Sequence, residues 1–172
     1  MSRLLIALSM FALTLALSAC ESPEEPSETK EAAPMVALKA PTSSDDKEWK
    51  LYLQAVVSQN MAGVTDRVFP YYLPANSAVP TPGDSQGRSQ YDRQLENVTS
   101  VLSRTVLPGN MLVFGSPDSA KMADLVVSAF SGGKPDALKG SQVLFIGKTD
   151  DNARVQTSVA AVGAKYIFVE AK

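Results

Sequence analysis

Four stretches of the chain repeat apolar residues at intervals of three and four, and three others are apolar without interruption; the first pattern marks helices and the second buried strands. Trp49, Tyr52, Leu53, Val56, Val57 and Met61 follow an Asp45-x-x-Glu48 start signal and predict an amphipathic helix. Tyr91, Leu95, Val98 and Leu102 predict a second helix, stopped by Pro108-Gly109. Met122, Leu125, Val126 and Phe130 form the face of a third within Asp118 to Phe130, and Val155, Val159 and Val162 that of a fourth within Asn152 to Val162. Met111 to Phe114, Val143 to Ile146 and Tyr166 to Val169 are short runs of the kind that strands buried on both faces require. Val68 to Leu73 is a shorter extended segment, and Pro70 demotes it to a sheet edge or a poor strand because it cannot donate to a ladder. Residues 74–89 hold three prolines and two glycines among small polar residues and read as a long surface loop.

The C-terminal half therefore runs strand, helix, strand, helix, strand. Such alternation implies parallel strands joined by right-handed crossovers. The expected fold is a three-layer α/β sandwich, with a small, mostly parallel sheet of three or four strands covered by about four helices. The Val68 to Leu73 segment is the candidate fourth strand.

The pattern at the amino end is different. Arg3 precedes an apolar run from Leu4 to Leu17, diluted only by Ser9 and Thr14. At 1.5 Å per residue this run spans about 21 Å, short of the roughly 30 Å hydrocarbon core, so it suits a cleaved signal peptide better than a membrane-spanning helix. It ends in Leu17-Ser18-Ala19-Cys20, and Cys20 is the single cysteine of the chain. The leader resembles that of bacterial lipoprotein precursors, whose lipobox has this form. The resemblance implies cleavage between Ala19 and Cys20. It also implies a diacylglyceryl thioether on Cys20 and a further acyl chain, such as palmitate, on its amine. Several buried chains, at about 0.8 kcal/mol per methylene, make a durable anchor where one is marginal. Glu21 stands where an Asp would favour inner-membrane retention in the sorting this family implies, so the expected location is the periplasmic face of the outer membrane.

Residues 1–19 are thus expected as signal peptide and 20–46 as the acylated cysteine with an acidic, Pro-rich tether. That tether has seven acids against two bases and few residues able to build a core. Its flexible reach is about 28 Å. Residues 47–172 are expected as one globular domain, close to the modal domain size.

Charge and residue chemistry narrow the function. A net charge of -2 lacks the basic excess that binding a phosphate backbone needs, so no nucleic-acid partner is expected. The absence of His removes imidazole bases and the familiar zinc sites, and one Cys allows neither an internal disulfide nor a thiolate cluster. No catalytic residue, metal site or cofactor is specified. Gly147-Lys148-Thr149 looks like the end of a phosphate-binding loop, but position 142 is Gln where that pattern requires Gly.

Two candidate surfaces remain. Ligands of open parallel sheets sit beyond the carboxyl ends of the strands, where this chain places Ser116, Asp118, Ser119, Lys148, Asp150 and Glu170. Ser116, Ser119 and Lys148 have the chemistry of an anion site, and Asp118, Asp150 and Glu170 that of a hydrated Mg²⁺ site. The same residue types also cap helices, which accounts for most of them without a ligand. The second surface is Tyr71 and Tyr72 at the mouth of the long loop, one of which must face the core if the segment is extended. The leading expectation is a membrane-anchored envelope lipoprotein acting as a non-catalytic interaction module, with an envelope protein or peptidoglycan-associated component as partner. A small-ligand receptor or hydrolase-like enzyme using the strand edge, and an inhibitor or immunity-type lipoprotein, are the alternatives.

Overall fold

The computed structural model describes residues 38–104 and 106–172. The elements follow in the order α1 (Asp46–Gln59), β1 (Val68–Tyr72), α2 (Gln90–Leu102), β2 (Met111–Gly115), α3 (Ser119–Phe130), β3 (Gln142–Gly147), α4 (Thr149–Ala161) and β4 (Lys165–Glu170). The strands form one parallel sheet in the order β1-β2-β3-β4. Every residue of β2 and β3 is buried, because helices cover both faces of the central strands.

Alternation along each strand divides the core in two. Tyr71, Leu112, Phe114, Val143 and Phe145 face α2, α3 and α4, whereas Met111, Val113, Leu144 and Ile146 face Trp49, Tyr52, Leu53 and Val56 of α1. The result is the expected three-layer α/β sandwich. Parallel register aligns Tyr71, Phe114, Phe145 and Phe168 in one row across all four strands. Tyr71 stacks on Phe114 at 5.0 Å between centroids, and Phe130 of α3 meets Phe114 edge-on at 5.8 Å. On the opposite face Gly115 brings α1 close: a Cβ there would lie 2.4 Å from Leu53 Cδ2.

Several boundaries differ from the sequence reading. The Val68 to Tyr72 segment does pair, at the edge of the sheet. Arg67 C=O accepts from Met111 N–H and Leu73 N–H donates to Gly115 C=O, so the intervening odd positions turn towards β2 and Pro70 turns away. Its missing donor therefore costs no ladder bond. Tyr166 to Val169 is only half-buried, not buried on both faces, since β4 is the other outer strand; an unbroken apolar run does not encode position within a sheet. Met61 lies beyond the end of α1 and is exposed. Helix α2 stops at Ser103, earlier than Pro108-Gly109, and Gly109 serves a turn with φ +86°, its carbonyl accepting from Thr65 and Asp66. Helix α4 begins at Thr149 rather than Asn152.

The folded body also begins before the composition break. Ala40 is buried and donates to Lys172 C=O, Trp49 Nε1 donates to Ser43 C=O, and Asp45 caps α1 through the Lys47 and Glu48 amides. Residues 38–46, placed in the tether on composition, thus pack on the body; small polar residues concealed their contacts. The leader, the lipobox Leu17 to Cys20 and residues 21–37 of the tether lie outside the described residues. Among the described residues no helix is long and apolar enough to cross a membrane.

The long loop after β1 is pinned at Asp84. Its carboxylate accepts from the Gln86 and Arg88 amides and pairs with Arg88 and Arg93 at 3.5 and 3.2 Å. The backbone donors, followed by the Arg88 charge, lower its pKa to about 2. Because the folded value lies below the unfolded one, this contribution is complete above about pH 4 and disappears as pH falls through about 2. Carbon-13 titration of the Asp84 carboxyl is expected to show a midpoint near 2, with the Gln86 and Arg88 amide shifts following it; a midpoint near 4 would remove the pin.

Candidate functional site

Internal hydrogen bonds engage four of the six polar groups named beyond the strand ends, and one of these, Asp118, is a helix cap. Ser116 is buried, donates to Leu73 C=O at 2.8 Å and accepts from Asp118 N–H. Asp118 is the N-cap of α3 and accepts from Lys121 N–H. Ser119 donates to Asp151 Oδ2 at 2.6 Å and accepts from Lys148 N–H at 2.8 Å. Glu170 accepts from Thr149 and pairs with Lys172 at 2.7 Å; first the ammonium and then the hydroxyl hold its carboxyl below the usual range. A general acid needs the opposite shift. Lys148 and Asp150 are exposed.

The six residues named from sequence thus share one end of the sheet but divide into separate local sets. Among the described residues no three acidic groups converge on a metal position, so the arrangement foreseen for Mg²⁺ does not form. An anion at α4 would meet Asp150 and Asp151 in the helix's first turn. Among the described residues the topology supplies no switch point at this end. Ligand clefts open where neighbouring connections depart to opposite faces, whereas β1, β2 and β3 all continue into helices on one face, in strictly sequential order.

Asp151 organises this end. One oxygen takes the Ser119 hydroxyl and the other takes Arg154 Nη2 at 2.6 Å; Arg154 also bonds Asp124 and Ala120 C=O. A buried carboxylate so placed stitches α3 to α4, and its partners are all internal.

The tyrosine pair divides as an extended strand demands. Tyr71 is buried in the aromatic row. Tyr72 is half-buried on the α1 face, where its hydroxyl donates to Asp46 Oδ1 at 2.8 Å. Burial, then the Asp46 bond and charge, raise its pKa, so it stays protonated.

Tyr72 also lines an apolar groove between α1 and β1, with a volume of about 500 Å³. Val113, Val68 and Pro70 form its floor, Leu53 and Val57 its wall, and Lys50 and Gln54 its rim. Lys50 Nζ lies 5.3 Å from the centre of the Tyr72 ring. A single helix is too narrow to roof four strands, and among the described residues nothing besides α1 covers this strip of β1. Of these residues sequence reasoning singled out Tyr72 alone. The available signal was Val57, which widens the apolar stripe of α1 beyond the buried Trp49, Tyr52, Leu53 and Val56. No family model matches the chain, and neither a curated protein nor a solved structure matches it.

Proposed function

We propose that the chain is a lipid-anchored envelope protein whose α/β body is a non-catalytic interaction module, held to the membrane through acylated Cys20 on the periplasmic face of the outer membrane. The observation that carries the module reading is the contrast between its two candidate surfaces. At the strand ends Ser116, Asp118, Ser119 and Glu170 are engaged within the body, while the groove beside Tyr72 offers apolar surface with a cationic rim. An apolar cleft with few polar groups suits recognition more than acid–base chemistry. The partner is an envelope protein or peptidoglycan-associated component.

The anchor rests on Leu17-Ser18-Ala19-Cys20. Cys20→Ser is expected to shift the protein out of the cleaved, membrane-sedimenting form and leave an unprocessed precursor, while the melting temperature of the body stays unchanged. Fractionation with intact-mass measurement reads this. A wild-type protein carrying its whole leader and no acyl chain contradicts the anchor.

A further inference from the structure

The groove and the outer edge of β1 are contiguous, since Val68, Pro70 and Tyr72 belong to both. The odd positions of β1 turn their backbone groups to β2, so Val68, Pro70 and Tyr72 turn theirs outward. This leaves two N–H donors, at Val68 and Tyr72, and three carbonyl acceptors along the edge. Among the described residues no hydrogen bond reaches them from another element. Side chains of the same residues floor the groove under α1. A strand laid on the edge would place alternate side chains in that groove, the arrangement in which main-chain bonds supply affinity and pockets supply specificity.

Pro70 sharpens the requirement. Edge prolines discourage indiscriminate strand pairing because one rung is missing. Main-chain bonds alone are then insufficient, and the occupant must also fill the apolar groove. Charge narrows it further. Lys50 is exposed on the rim over the Tyr72 ring, with no carboxylate paired to it among the described residues, whereas Asp46 one turn earlier is engaged by the Tyr72 hydroxyl. An ammonium held over a ring face, with no carboxylate beside it among the described residues, favours an acidic group on the occupant.

We infer that the edge of β1 and the α1 groove bind an extended segment of a partner protein that carries apolar side chains at alternate positions and a carboxylate opposite Lys50. This rests on the reading of the body as an interaction module and names the chemistry of its partner.

The test uses the full chain in detergent micelles and two displayed peptide libraries. Both alternate Val, Leu or Ile with a charged residue, Glu in one and Lys in the other. The Glu library is expected to enrich about tenfold over the Lys library on the wild type, and Lys50→Glu to reverse the preference. Val57→Asp is expected to abolish selection of the Glu library. A selected peptide is expected to slow hydrogen exchange at the Val68 and Tyr72 amides. Enrichment of neither library, selection unchanged by Lys50→Glu, or binding without protection of these amides overturns the proposal, as does seating of laurate or of a second copy of the chain in the groove. A partner captured through another surface while both libraries stay silent defeats strand docking alone. Silence of the libraries together with no partner contact in intact envelopes defeats the interaction module as well.

Discussion

Phe114→Ala is expected to destabilise the body by about 3–5 kcal/mol, the range for removing a buried phenylalanine ring. Phe114 is fully buried in the second strand of the sheet, stacked on Tyr71 and met edge-on by Phe130. The truncation removes both ring contacts and leaves a cavity that neighbours on two strands and a helix can fill only partly. At roughly 3 °C per kcal/mol for a body of this size, the melting temperature should fall by about 10–15 °C. Circular dichroism melts of wild type and variant measure it. A loss below about 1 kcal/mol would mean that the aromatic row is not the centre of the core.

Asp151→Ala is the second large effect, expected at about 2–4 kcal/mol. The substitution strands the buried Ser119 hydroxyl and releases Arg154, which loses its contact within α4 while keeping Asp124 across to α3. Asp151→Asn retains an acceptor for Ser119 and should cost about half as much. Urea midpoints distinguish the two variants. If Asp151→Ala leaves stability unchanged and instead removes a measured activity, the carboxylate belongs to a working site and the non-catalytic reading fails.

The fold was legible where burial is symmetric. Met111 to Gly115 and Gln142 to Gly147 have helices on both faces, so their composition announces them. β4 carries a similar run while standing at an edge, because its side chains still pack partly against the layers on both sides; they are only half-buried, and among the described residues no strand pairs with its outer edge, which composition does not record. Pro70 carried the converse information: it marked an edge correctly while making the strand itself look doubtful. At the strand ends the residue type identified the capping role of Asp118, whereas Thr149 and Asp150, of the same types, make no capping bond at α4, and the Ser119–Asp151–Arg154 stitch joins positions far apart in sequence and has no local signature. The groove was hidden for a related reason. Lys50, Val57 and Val68 come together only once α1 lies across the sheet, at a height set by the contact of Leu53 with Gly115.

The contrast between the two surfaces is open to one direct measurement. A photoreactive residue at Gln54, on the exposed rim of the groove, is compared in intact envelopes with the same residue at exposed Asp150, beyond the strand ends. A discrete protein adduct from position 54 and none from position 150 is the predicted result; an adduct confined to position 150 would contradict the account.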